Sequence, residues 1–235
     1  MSAFQGAVGL APSYNPSPNY DDRDAPVDTI ILHYTGMQTG GAALVRLTEA
    51  ASKVSAHYLV EEDGRLFQMV CEDKRAWHAG VSSWRGQTGV NARSIGVEIV
   101  NPGHEWGYRP FPDRQIETVC ALIADIVARR GVDRRRVLGH SDVAPVRKED
   151  PGEFFPWARL AAAGLAIGPY DGEPDPTVSY DDALRAIAAI GYDAPPGTHA
   201  AGVLAFQRRF CPKSLGQGLD PLTKAAARWA LNAMA

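Results

Sequence analysis

The segment Ser94-Ile-Gly-Val-Glu-Ile-Val100 alternates branched apolar residues with small or polar ones. A strand turns successive side chains to opposite faces, so Ile95, Val97 and Ile99 share one face and Glu98 takes the other. The run Thr29-Ile-Ile-Leu32, ending at His33, reads as a second, buried strand. Between the two, residues from about Ala42 to Lys53 read as a helix. His57-Tyr-Leu-Val-Glu-Glu-Asp-Gly-Arg-Leu-Phe-Gln-Met-Val70 reads as two strands joined across Asp63-Gly64, a strong hairpin signal. Downstream, Ile116, Val119, Ile123 and Val127 recur at helical spacing, with Asp113 as N-cap, Arg129 and Arg130 in the last turn and Gly131 as the stop. Val137-Leu138 then leads into a Gly139-His140 turn, and Phe155-Pro-Trp-Ala-Arg-Leu160 opens a short helix. Strands and helices interleaved in this order predict an α/β fold, a mixed central β-sheet flanked by helices.

The 235 residues divide further. Residues 1–26, rich in Pro, Ser, Asn and Asp, read as an N-terminal arm, and 27–167 as the α/β domain. Residues 168–177 are turn-rich and read as a linker. Beyond it, apolar stripes at about 179–190, 198–210 and 220–234 predict a small all-α three-helix domain over 178–235. A net charge of −3 gives no reason to expect nucleic acid as a partner, and no apolar run reaches the roughly 20 residues of a membrane span. The odd, scattered cysteines Cys71, Cys120 and Cys211 fit neither a disulfide framework nor a cysteine metal site. The N-terminus resembles no secretory signal, so the direct expectation is a cytoplasmic protein, with a periplasmic one as the alternative.

Three separated fragments carry metal-ligand chemistry: His33 at a strand end, His140 in Gly-His-Ser-Asp, and Asp150 in Lys-Glu-Asp-Pro-Gly. Two imidazoles and a carboxylate suit Zn²⁺ and leave a fourth position open for water, the arrangement of a hydrolase. Each residue alone has a structural explanation; the expectation rests on the set. Glu98 is the one carboxylate inside an otherwise apolar strand, and it is either a general base or a strand-edge residue facing water. Lys148, two residues before Asp150, is either an oxyanion-stabilising cation or a solvated lysine. Trp77-His78-Ala-Gly80 either floors a sugar- or peptide-binding cleft or packs in the core. His57 reads as structural, and His104 and His199 as surface residues.

Six fragments, taken in order, resemble the zinc-dependent N-acetylmuramoyl-L-alanine amidases of the type 2 family, relatives of peptidoglycan recognition proteins. They are Ile31-Leu-His-Tyr-Thr35, Ser55-Ala-His-Tyr58, Ala76-Trp-His-Ala-Gly80, Ser94-Ile-Gly-Val-Glu-Ile-Val-Asn101, Gly139-His-Ser-Asp142 and Arg147-Lys-Glu-Asp-Pro-Gly152. The resemblance covers roughly residues 25–165 and is strongest to the recycling branch. It implies one zinc held by His33, His140 and Asp150, catalysis by Glu98 and Lys148, and a substrate groove lined or supported by Trp77, His78 and Asn101. The implied reaction is cleavage of the amide between the lactyl group of (anhydro-)N-acetylmuramic acid and L-alanine; the implied partner is a muropeptide or peptidoglycan fragment. A non-catalytic binding module and a lytic amidase of intact wall are the alternatives. Ala205-Phe-Gln-Arg-Arg-Phe210 resembles the third-helix signature of peptidoglycan-binding helical domains, although Cys211-Pro-Lys-Ser-Leu-Gly-Gln-Gly-Leu219 replaces their short Asp-Gly turn.

Overall fold

The computed structural model describes residues 10–192 and 197–235, so the first nine residues of the expected arm lie outside the described residues. The chain begins with β1 (Ser13–Tyr14), β2 (Tyr20–Asp22), β3 (Thr29–Tyr34), α1 (Gly40–Thr48), β4 (Tyr58–Val60), β5 (Leu66–Gln68) and β6 (Lys74–Ala76). A two-stranded ribbon of β7 (Ser83–Trp84) and β8 (Gln87–Thr88) and the single turn α2 (Val90–Arg93) precede β9 (Ser94–Ile99). Then come α3 (Gly103–Trp106), α4 (Asp113–Arg130), β10 (Val137–Gly139), α5 (His140–Val143) and α6 (Trp157–Ala162). The last three helices are α7 (Tyr180–Ile190), α8 (His199–Phe210) and α9 (Pro221–Ala233).

Six strands form a mixed sheet in the order β1-β5-β4-β9-β3-β10. β4, β9, β3 and β10 are mutually parallel, and β5 is antiparallel to β4. The alternation of β9 sets the layers. Ile95, Val97 and Ile99 join Ile30, Leu32, Tyr58 and Val60 beneath the buried α4 residues Ile116, Val119, Leu122, Ile123 and Ile126. α4 spans the predicted 113–130 and stops at Gly131, whose φ of 67° is the left-handed conformation that glycine adopts without strain. Its N-cap is Pro112 rather than the expected Asp113, which is the first helical residue. The expected helix over 42–53 divides: α1 ends at Thr48, extended Glu49 interrupts it, and one 3₁₀ turn follows.

On the opposite sheet face, Ile31 and Leu138 belong to a core shared with the last three helices. In it Ala183, Ile187 and Ile190 of α7 meet Val203, Phe206 and Phe210 of α8 and Ala226 and Ala230 of α9. The same cluster takes in Ala79, Trp84, Val90 and Val143, so the helices and the sheet bury one continuous surface. The arm is ordered from β1 onward: β1 extends the sheet, β2 pairs with β6, and Arg23 donates to Glu72 O, Lys74 O and Ser94 O. β1, β2 and β6 are two or three residues long and lie outside the apolar runs, so nothing in the sequence marks them as strands. No disulfide links the cysteines, and no helix among the described residues is long and apolar enough to cross a membrane.

A buried charge cluster ties α4 to the loop after β5. Glu72, 6% exposed, accepts bonds of 2.8 Å from Tyr58 Oη, both Arg129 Nη atoms and Arg130 Nε. Burial opposes its charge, but donors from Arg129, Tyr58 and Arg130 prevail and bring the carboxyl down from 4.5 to about 2. A depressed carboxyl stabilises the fold above its unfolded value, and that contribution is lost as pH falls through the folded value. Glu72→Gln is therefore expected to cost on the order of 3 kcal/mol at pH 7. Urea melts of both proteins should show the gap narrowing between about pH 5 and pH 3; a gap that stays constant with pH would remove the carboxylate from the account.

Candidate active site

Because β3, β9 and β10 are parallel, their carboxyl ends lie at one edge of the sheet, where ligands of open α/β sheets bind. His33 and Glu98 are register partners and so share a face. His140 follows β10 directly as the first residue of α5, and the loop after α5 returns Asp150 beneath it, with Ser141 N donating to Asp150 O at 2.8 Å. The Asp150–Pro151 peptide bond is cis. Apolar cover is interrupted here, leaving a cleft of about 790 Å³ between α1 on one side and α8 on the other.

At its floor three ligand atoms converge. His33 Nδ1 lies 2.9 Å from Asp150 Oδ2 and 3.0 Å from His140 Nδ1, and His140 Nδ1 lies 3.0 Å from Asp150 Oδ2. All three residues are buried. Hydrogen bonds behind the rings fix their tautomers. His140 Nε2 faces Ala79 O at 3.1 Å, a carbonyl that can only accept, so this nitrogen carries the hydrogen. Ser94 Oγ donates to Val90 O at 2.7 Å and so accepts from His78 Nε2 at 3.2 Å; His78 Nδ1 in turn accepts from His33 Nε2 at 3.0 Å. Both Nδ1 lone pairs and one carboxylate oxygen therefore point at one spot. Burial, reinforced by His140, lowers His33 to about 4, which keeps its ring neutral at pH 7. Three inward electron pairs so close together fit a cation, and this is the one such cluster of His, Cys, Asp and Glu among the described residues.

Glu98 lines the cleft beside His33, and its Oε2 is buried with no hydrogen-bond partner among the described residues. Burial raises its carboxyl well above the usual range, the Asp150 charge adds to this, and Lys148 opposes it. Lys148 lines the same cleft; its N–H donates to Ala144 O at 3.0 Å and closes a turn. Trp77 lines the cleft with its indole Nε1 held by Asp21 Oδ2 at 2.6 Å. His78 sits behind His33, packed so close to Gly96 that a Cβ there would lie 2.5 Å from its ring. Asn101 is fully buried and away from the cleft wall; it donates to Arg109 O at 2.7 Å and accepts from Gly103 N at 3.1 Å, bracing the loop that carries α3. His57 is buried and structural, with Nδ1 accepting from Gly96 N at 3.0 Å.

Several cleft residues carry no local signal in the sequence. His104, read as a surface residue, is exposed but stands at the rim, 3.0 Å from Tyr34 Oη and stacked on Tyr108. Arg147 lines the mouth and donates to Ala79 O at 3.0 Å. The far wall is a stripe of α8, Ala201, Leu204 and Arg208. Only the chain's path brings these groups to the His33, His140 and Asp150 cluster. His199 is exposed at the start of α8, as expected.

A family model described as N-acetylmuramoyl-L-alanine amidase, Amidase_2, matches residues 23–153. The chain is 34% identical over 226 residues to the N-acetylmuramoyl-L-alanine amidase AmiD of Escherichia coli, covering 86% of this chain and 81% of that one. It is 32% identical over 167 residues to the 1,6-anhydro-N-acetylmuramyl-L-alanine amidase AmpD of Haemophilus influenzae, covering 63% of this chain and 89% of that one. The fold is similar to that of E. coli AmiD in complex with anhydro-N-acetylmuramic acid-L-Ala-D-γ-Glu-L-Lys, with a TM-score of 0.79 at 32% identity over 91% of this chain and 92% of that one. It is also similar to AmpDh3 of Pseudomonas aeruginosa in complex with anhydromuramic pentapeptide, with a TM-score of 0.76 at 32% identity over 94% and 96% of the two chains.

Proposed function

The chain belongs to the Amidase_2 family of N-acetylmuramoyl-L-alanine amidases, and from that premise we propose that it cleaves anhydro-muropeptides at a zinc centre held by His33, His140 and Asp150. The reaction is hydrolysis of the amide between the lactyl group of N-acetylmuramic acid and L-alanine of the stem peptide. The anhydro form is supported by the substrates bound to the similar AmiD and AmpDh3 structures. The observation that carries the reading is the convergence of two imidazole Nδ1 atoms and a carboxylate oxygen, each within 3.0 Å of the others, at the floor of a cleft. Two imidazole nitrogens and a carboxylate oxygen are donors that would suit zinc.

Zinc held there supplies Lewis acidity, polarising a carbonyl oxygen and easing deprotonation of water. Glu98 accepts a proton from the attacking water, whose oxygen bonds to the lactyl carbonyl carbon. As the carbon–nitrogen bond breaks, Glu98 returns that proton to the departing alanine nitrogen. The Lys148 ammonium stabilises negative charge on the carbonyl oxygen as it develops. His78 fixes the tautomer of His33, Trp77 presents an aromatic face to the ligand, and Asn101 supports the groove through the loop it braces.

Chelation is expected to abolish release of stem peptide, and zinc to restore it, with about one zinc per chain in the active protein. Metal loss should also lower the melting temperature, since a ligand of the native state alone stabilises it. Full activity in a metal-free sample would sink the zinc centre. Peptide release from soluble muropeptide compared with intact sacculi tests substrate size in the same assay.

A further inference from the structure

Arg208 stands one residue from the core-facing Arg209 but turns to the cleft, in a stripe with Ala201 and Leu204 along one face of α8. Its side chain is 13% exposed. Nη2 donates to Glu149 Oε1 at 3.1 Å, while Nε is buried with no partner among the described residues. A guanidinium has five N–H donors, so this one has donors to spare. Among the other cleft cations, Arg147 spends donors on Ala79 O and Val81 O, Lys148 is assigned above to the scissile carbonyl oxygen, and Arg46 is exposed on α1. Arg208 is thus a desolvated cation beside Glu149, the neighbour of the metal ligand Asp150.

The substrate chemistry supplies a matching anion. A γ-linked D-glutamate, as in the ligand of the AmiD complex, keeps its α-carboxylate free. That group is the first formal negative charge beyond the scissile amide, one residue or roughly 4 Å past alanine. We propose that Arg208 binds this α-carboxylate, so that the C-terminal helices contribute a specificity-determining residue to the amidase site. The assignment rests on the amidase reading above. A guanidinium–carboxylate contact suits the task because it discriminates charge: a carboxamide at the same position offers a neutral acceptor and two unwanted donors.

The test compares anhydro-N-acetylmuramyl-L-Ala-D-γ-Glu-L-Lys with its counterpart carrying D-isoglutamine, the α-carboxamide. Wild type is expected to prefer the carboxylate by about tenfold or more in kcat/KM. Arg208→Met should lower kcat/KM on the carboxylate by about 10- to 100-fold, chiefly through KM, with less than about threefold change on the carboxamide. Arg208→Lys should keep part of the preference. The ratio of the two substrates within one preparation does not depend on how much of it is folded, so a destabilised variant still answers. Equal losses on both substrates, no loss on either, or a wild type without preference overturns the assignment. A wild type that cleaves neither substrate overturns the amidase reading itself, and this inference with it.

Discussion

Glu98→Gln is expected to reduce turnover of the anhydro-muropeptide by about 10²- to 10⁴-fold while leaving fold and metal content intact. The size follows from what the amide cannot do. It occupies the same volume between His33 and Leu59 on the neighbouring strands, so β9 keeps its register. It cannot accept the proton of the attacking water or return it to the alanine nitrogen. The wild-type site prepares the carboxyl for both steps: burial raises its proton affinity, and its Oε2 is committed to no other partner among the described residues. The substitution also removes a carboxyl whose charged form burial disfavours, so stability should be unchanged or slightly higher. Single-turnover kinetics with zinc analysis on the same sample decides it. A variant that keeps its zinc and turns over within about threefold of wild type would place the proton transfer elsewhere.

The contrast between what was legible and what was not lies in the range of the contacts. β9 declares itself because Ile95, Val97 and Ile99 alternate with Gly96 and Glu98 over six residues, and the same alternation puts Glu98 on the face of His33. The convergence of His33, His140 and Asp150 is legible because their residue types are rare in such settings: a histidine closing an apolar run, another after a glycine turn, an aspartate before Pro-Gly. Trp77 and His78 stand together in sequence, yet their tasks differ, since only the fold shows the hydrogen bond from His33 to His78. Asn101 shows the limit from the other side. It falls in a fragment of catalytic character, and its side chain is consumed by loop backbone. The predicted boundary near residue 168 marks a turn-rich connection, but composition cannot report that the helices beyond it share a core with β3 and β10. Arg208 and Arg209 are neighbours within the Ala205–Phe210 fragment; their separate destinations depend on which face of α8 meets the sheet.

Arg209 carries the second large effect. It is 2% exposed, donates to Asp142 Oδ2 at 2.6 Å, and reaches Val137 O at 3.0 Å and Ile167 O at 3.2 Å while stacked over Trp157. Asp142 is itself buried; it accepts from Tyr192 Oη at 2.6 Å and from Gly139 N at 2.7 Å. The pair thus joins α8 to the turn that aims His140. Arg209→Met should cost about 3–5 kcal/mol, because it strands a carboxylate in the interior. Against a total stability of about 5–15 kcal/mol this is a large fraction. Arg209→Met combined with Asp142→Asn should recover part of the loss, since the uncompensated charge is gone, and that recovery separates a charge effect from lost packing. Tyr192→Phe, which leaves the ion pair in place, should cost about 1.5–3 kcal/mol, the value of a hydrogen bond to a charged acceptor. If the turn depends on this network, Tyr192→Phe should also weaken zinc retention against a chelator at temperatures where the variant is fully folded, by about tenfold, as removal of outer-shell support does. Unchanged zinc retention together with lowered stability would confine the network to holding the helices on the sheet.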